Sequence, residues 1–247
     1  MANRNKSTPG VVLEDIDSVF ERGAAWVGAR PQLALAALVA LLLVGAAIGG
    51  LSSMRERSAH AAEAEIAGVY DSYLAAMGAS PGAREVPEPA NPALGHTTRE
   101  EFAAKLLAAA ANHDSSAAAV VGRLQAADML DKNGDAQGAF QARELAAAKA
   151  PSGTGVAVIA LTRLGVAREA KGDLAAAAEA FESAGKIDSP ARALALADAA
   201  RCQAELGHKE RALALFAEAE KHGADAIPAH IRQRLIELRS EPTAAAK

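Results

Sequence analysis

The chain has 247 residues, a formal charge of −4, an apolar fraction of 51% and only 3% aromatic residues. Acidic and basic side chains are interspersed with no basic stripe, which excludes a nucleic-acid partner, and the single cysteine, Cys202, excludes an internal disulfide and a zinc site built on cysteine pairs. Alanine supplies most of the apolar content and strand formers do not cluster into alternating runs, so the expected class is all-α.

Residues 1–30 read as an N-terminal leader. Ile16, Val19, Phe20, Gly23 and Val27 recur at helical spacing, which predicts a short amphipathic helix over 12–29. Pro31 to Met54 carries no charged residue and is bracketed by Arg30 and by Arg55 and Arg57. At about 1.5 Å per residue this gives roughly 36 Å of helix, enough to cross a hydrocarbon core of about 30 Å. A transmembrane helix is therefore expected over 31–54. A cleaved signal is a poorer account, because the leader carries Glu14, Asp15, Asp17 and Glu21 and the apolar stretch is too long. Arginines flank both ends, so charge alone leaves the orientation open. Within the span, Gly45 and Gly49 form a G-x-x-x-G pair, a close-approach face for helix packing and for a homodimer through the membrane helix.

Beyond the span, Ala59, Ala62, Ile66, Val69, Tyr70, Tyr73 and Met77 keep helical spacing, and a helix extending from the membrane is expected over 55–78. Pro81, Pro87, Pro89 and Pro92 then predict a Pro-rich linker over 79–97. Thr97 or Thr98, followed by Glu100 and Glu101, reads as the N-cap of a helix over Arg99–Asn112.

The decisive pattern lies further on. Gly172, Ala177, Phe181 and Ala184 recur as Gly207, Ala212, Phe216 and Ala219, each 35 residues later. Leu161 recurs as Leu196, and Leu164-Gly165 sits ahead of Ala177 at the spacing of a tetratricopeptide-type helix–turn–helix repeat. Gly134, Ala139, Ala146 and Pro151 keep the register of a weaker unit at an offset of 38, with Arg143 where the aromatic should stand. The glycines end each first helix, the alanines let the second helix approach it, and the phenylalanines fill the gap to the neighbouring pair. The fold class expected is thus all-α, one transmembrane helix followed by a helical-hairpin solenoid over 98–240, with a disordered tail over 241–247.

No H-E-x-x-H, C-x-x-C, G-x-S-x-G or phosphate-loop pattern occurs. His60, His96, His113, His208, His222 and His230 are scattered, and Cys202 reads as a small packed thiol. No catalytic residue, metal ligand or cofactor is expected, and the chain is not read as an enzyme. In a stacked solenoid the first helices line one face. Asp128 and Asp131, then Thr162, Val166 and Glu169, then Ala197, Arg201 and Glu205 fall there in register. These are the candidate residues for contact with proteins or peptides. With no aromatic or arginine cluster among them, binding is expected to be weak or transient.

A membrane span ahead of a degenerate repeat domain resembles the YfgM-type ancillary subunits of the SecYEG translocon. The likeness is carried by Asp15-Ile16-Asp17-Ser18-Val19-Phe20-Glu21, the span, and the Met129-Leu130-Asp131-Lys132-Asn133-Gly134-Asp135 turn. It implies a single-pass protein of the bacterial inner membrane, its N-terminus cytoplasmic and its C-terminal domain periplasmic. Its implied role is a scaffold at SecYEG that contacts secreted chains or periplasmic chaperones. The residues themselves leave open a scaffold for another envelope complex (division, cell wall or secretion system) and a regulatory subunit of an envelope enzyme.

Overall fold

The computed structural model describes residues 54, 56–80 and 85–240. The chain divides into two compact units, Met1–Arg57 and Ser58–Lys247, and the repeat array belongs to the second. Its helices are α1 (described over 56–76), α2 (Pro92–Asn112), α3 (Ala117–Lys132), α4 (Ala136–Lys149), α5 (Gly155–Ala170), α6 (Leu174–Gly185), α7 (Arg192–Glu205), α8 (Lys209–Gly223) and α9 (Ala229–Ser240). Successive helices pair as hairpins α1/α2, α3/α4, α5/α6 and α7/α8, and α9 covers α7 and α8.

Each first helix ends in the same way. Gly78, Gly134, Gly172 and Gly207 take φ values of +78°, +82°, +80° and +81°, a left-handed conformation open to glycine at little cost. The next residue donates its backbone N–H to the carbonyl five residues back: Ala79 to Leu74, Asp135 to Leu130, Asp173 to Arg168, His208 to Gln203, at 2.9–3.0 Å. These bonds satisfy carbonyls that the helix end would leave unpaired. Asp135 and Asp173 then cap the second helix, accepting from the N–H of Gly138 (2.8 Å) and Ala176 (3.0 Å). His208 makes no such side-chain cap.

The Gly78 turn identifies α1 as the first helix of a hairpin that the residue spacing did not reveal. In the other hairpins the second helix begins within two residues of the glycine; here it begins at Pro92. Asn91, and not Thr97 or Thr98, is the cap: its side chain accepts from the N–H of Ala93 at 3.1 Å. Pro92 has no N–H to leave unpaired and its φ is already helical, so α2 starts earlier than the expected Arg99. The segment before it is tied down. Arg99, 6% exposed, donates to Glu88 and to Asn133 Oδ1, both at 2.6 Å. Asn133 Nδ2 donates in turn to the carbonyl of His96 at 2.8 Å.

Second helices carry two alanines seven residues apart: Ala103 and Ala110, Ala139 and Ala146, Ala177 and Ala184, Ala212 and Ala219, each at most 1% exposed. Gly165 shows the same need for closeness, since a Cβ there would lie 2.7 Å from the Phe181 ring. Phe181 and Phe216, both 0% exposed, share one apolar core with Leu196, Leu215, Ile231 and Leu235. A separate core joins Ile66, Tyr73 and Met77 to Phe102, Leu106 and Met129. Burying each such large side chain contributes about 1.5–3 kcal/mol.

The expected fold class needs one correction: the solenoid stands, and no transmembrane helix is found among the described residues. None of their helices is long and apolar enough to cross a membrane. The helix expected to extend from the membrane, α1, is itself amphipathic: Ala62, Ile66 and Tyr73 are buried, while Glu63, Glu65, Asp71 and Ser72 are exposed. The span expected over 31–54 falls, except for Met54, outside the described residues. So do the leader, the tail, and Gly45 and Gly49 with the homodimer they implied. The single-pass inner-membrane placement, N-terminus cytoplasmic and C-terminal domain periplasmic, is corrected with it, because no described helix supplies the span on which it depended.

Candidate interaction surface

First helices α1, α3, α5 and α7 lie side by side. Gly122 of α3 is close enough to Ile66 of α1 that a Cβ would sit 2.9 Å from Ile66 Cδ1. Arg163 of α5 reaches Asp128 of α3 at 3.3 Å. Arg201 of α7 grips Glu169 of α5 with two bonds of 2.6 and 2.7 Å. Ion pairs therefore link the first helices of the second, third and fourth hairpins, and an apolar contact links those of the first and second.

The candidate residues are differently employed on the face of these first helices. Asp128 and Asp131 both accept from Arg143, whose side chain is only 12% exposed. Glu169 is occupied by Arg201, and that bond holds its carboxyl below the usual range. Arg201 is raised above its ordinary value chiefly by the same bond, and it also reaches Glu205 at 3.2 Å and Asp198 at 3.6 Å. Burial, only partly offset by Arg201, pushes the Asp198 carboxyl up. Ala197 is 0% exposed and cannot touch a partner. Thr162 is half-buried. Val166, at 54% exposed, is the apolar residue of the set that remains open.

Two adjoining hollows lie on this face, sharing Asp131 and Arg163. One, of about 320 Å³, is walled by Tyr70, Tyr73, Val86, Gln125, Asp128, Met129 and Lys132. The other, of about 330 Å³, is walled by Ala136, Phe140, Arg143, Val166, Ala167, Ala170 and Lys171. Sequence reasoning missed Tyr70, Tyr73 and Val86, because they belong to a hairpin that the inserted prolines hid from the period. It missed Phe140 because it read only first-helix positions, and Lys171 because that residue follows the last turn of α5. The Lys171 ammonium stands 3.7 Å from the centre of the Phe140 ring.

Other singled-out groups are structural. Cys202 is buried, and burial raises its thiol to about 11, so little thiolate forms at neutral pH. His208 shares a hydrogen bond of 2.8 Å with Gln203, and His113 one of 2.8 Å with Glu65. Among the described residues no group of three or more His, Cys, Asp or Glu is placed to hold a metal ion.

No protein-family model matches the chain, and no curated protein matches it. Among solved structures it is similar to a crystal structure of nearly identical TPR-like repeats from a Podosopora anserina kinesin light chain, with 17% identity and a TM-score of 0.43, covering 57% of this chain and 78% of that one. A point-substituted form of the same repeats aligns at 16% identity with a TM-score of 0.40, covering 58% and 86% of the two chains. A likeness of this extent says nothing about function; the fold rests on the chain's own hairpins. The resemblance to YfgM-type translocon subunits is corrected here. No family model supports it, and the described helices lack the membrane span on which its order of elements depended. The expectations it carried fall with it: SecYEG, periplasmic chaperones and a membrane-embedded partner.

Proposed function

We propose that this chain is a non-enzymatic scaffold that binds other proteins through the face formed by α1, α3, α5 and α7. The observation that carries the reading is the pair of adjoining hollows, which bring Tyr70, Phe140 and Val166 into reach of solvent beside charged side chains. Repeat stacks bury their hydrophobic faces against one another and leave an extended surface for partners. A surface with apolar anchors and a polar rim is suited to a peptide or partner helix. Most first-helix charges are already paired within the stack, so they order the surface, and contact falls to the apolar side chains and the cations around them.

Affinity purification of the tagged full chain, with partners identified by mass spectrometry, tests the reading. Partners should be lost in the double variant Val166→Asp with Lys171→Glu. They should be kept in Glu179→Lys, an exposed substitution on second helix α6. Equal recovery from both variants, or no partner from the parent chain, would overturn it.

A further inference from the structure

We propose that the seam between α4 and α5 is a receptor slot for one aromatic side chain of a partner segment that carries carboxylates on both sides of that ring. The proposal rests on the scaffold reading above and narrows it to a place and a chemistry.

Four residues beyond the first alanine of each second helix stand Leu107, Arg143, Phe181 and Phe216. In three hairpins this residue joins its hairpin to whatever follows. Leu107 packs against Ala127, Ala139 and Ala142 of the second hairpin. Phe181 shares a core with Leu196, Ala197 and Ala200 of α7, and Phe216 with Ile227, Ile231 and Leu235 ahead of and within α9. Arg143 does not reach forward. Its guanidinium turns back to α3, donating to Asp128 at 3.3 Å and to Asp131.

The space it leaves against α5 is the hollow of about 330 Å³ lined by Phe140, Val166, Ala167 and Ala170. On the opposite side of the same seam lies another, of about 390 Å³, walled by Ala147 and Leu164 among others. Between them the contact is made by the small apolar cluster of Val120, Ala146 and Ala160. So the residue four beyond the first alanine supplies no forward ring here, whereas it does at the following junctions, and the gap lies at an opening to solvent beside Phe140. Interiors pack with few voids larger than a water molecule, and an apolar side chain from outside supplies the missing contacts.

Charge selects the flanks. Arg143, Arg163 and Lys171 surround the slot, while the Asp131 carboxylate is held by Arg143 and that of Asp128 is shared between Arg143 and Arg163. Lys132 adds a further cation on the rim of the adjoining hollow. The excess is positive, which favours an acidic segment.

The test titrates the ¹⁵N-labelled full chain with the capped peptide Glu-Glu-Phe-Glu-Glu, an alanine-centred control and a lysine-flanked control. The first should shift the amides of Phe140, Val166, Ala167 and Ala170 and bind at least tenfold more tightly than either control. Lys171→Glu should weaken it by a similar factor while the chain stays folded, its thermal midpoint lowered by only a few degrees through loss of the contact with Phe140. Arg143→Phe, which fills the slot from within, should raise the thermal midpoint and abolish the peptide shifts. Ala170→Leu at the exposed wall serves the same purpose should Arg143→Phe fail to fold. Equal binding of the three peptides, shifts that map elsewhere, or slot shifts that follow protein concentration alone (a second copy as occupant) would overturn the proposal. Partner recovery that survives Arg143→Phe but not Val166→Asp with Lys171→Glu leaves the scaffold standing and removes the aromatic slot.

Discussion

The first two hairpins and the last two solve the same packing problem with different chemistry. In α5–α9 the junctions are filled by rings, Phe181 and Phe216, both fully buried. In α1–α4 buried arginines take a comparable part. Arg99, 6% exposed, ties the proline-containing segment to the second turn through Glu88 and Asn133. Arg123, 1% exposed, donates to the carbonyls of Ala110 (3.1 Å) and Asp114 (2.8 Å) and to the Asp114 carboxylate, which also accepts from Lys149. A ring fills volume without directional demand, whereas a guanidinium must find its acceptors and points where they are. Arg143 follows Asp128 and Asp131 backward, and the junction ahead of it is left thin. A charged plug thus keeps a hairpin together at the expense of its forward contact.

The sharpest break of this comparison comes from truncating the plugs. Phe181→Ala should cost about 3–5 kcal/mol, because both transfer energy and a cavity are involved. Arg143→Ala should cost no more than about 1 kcal/mol, since the aspartates it leaves are more than 40% exposed. Urea unfolding of the two variants gives the difference directly, and equal losses would mean the two seams are packed alike.

Arg123→Ala ranks next, at about 1–3 kcal/mol, because it leaves the carbonyl of Ala110 without its side-chain donor in the interior. Thermal unfolding checks it, and Arg123→Met, which keeps the volume, should not recover the loss if hydrogen bonding is the cause.

A gain should come from the last hairpin. His208 occupies the position at which Asp135 and Asp173 cap their helices. His208→Asp should restore the cap and stabilise by about 0.5–1 kcal/mol, read as a rise in the urea midpoint.

The smallest effect is electrostatic. The hydrogen bonds from Arg201 hold the Glu169 carboxyl below its ordinary value of 4.5. A folded value below the unfolded one means that this pair contributes fully above the unfolded value and is lost as pH falls through the folded one. Asp198, raised by burial, acts in the opposite sense: its contribution is present below the unfolded value and lost as pH rises through the folded one. Glu169→Gln should therefore flatten the acid limb of stability against pH, measured by urea midpoints between about pH 3 and 6. An unchanged limb would assign the acid sensitivity to other carboxylates.

Much of this fold is written in short-range spacing. Glycines that require a left-handed turn, and alanines that let two helices touch, impose the same demand wherever a hairpin forms, so Gly172 with Ala177 and Gly207 with Ala212 announce their units without reference to the rest of the chain. That argument failed at α1/α2 for a physical reason. The turn after Gly78 has the same backbone geometry, but the residues inserted before Pro92 lengthen the loop, and a period cannot be seen across an insertion. At the N-terminus the uncharged stretch read as a span lies, except for Met54, outside the described residues, and no described helix supplies one.

The candidate face was legible in its helix register and not in its chemistry. Periodicity placed Asp128, Asp131, Glu169 and Arg201 on first helices, but the bonds that engage them come largely from other helices, and spacing carries no information about such pairing. Ala197 went to the core and Val166 to the surface for the same reason: burial is decided by the neighbouring hairpin. Local conformational preference and small-residue spacing, read from the sequence, determined the hairpins. Only tertiary packing decided which charges are engaged, that Arg143 faces backward, and where the stack stays open, because each of those outcomes depends on side chains meeting across a seam between separate units.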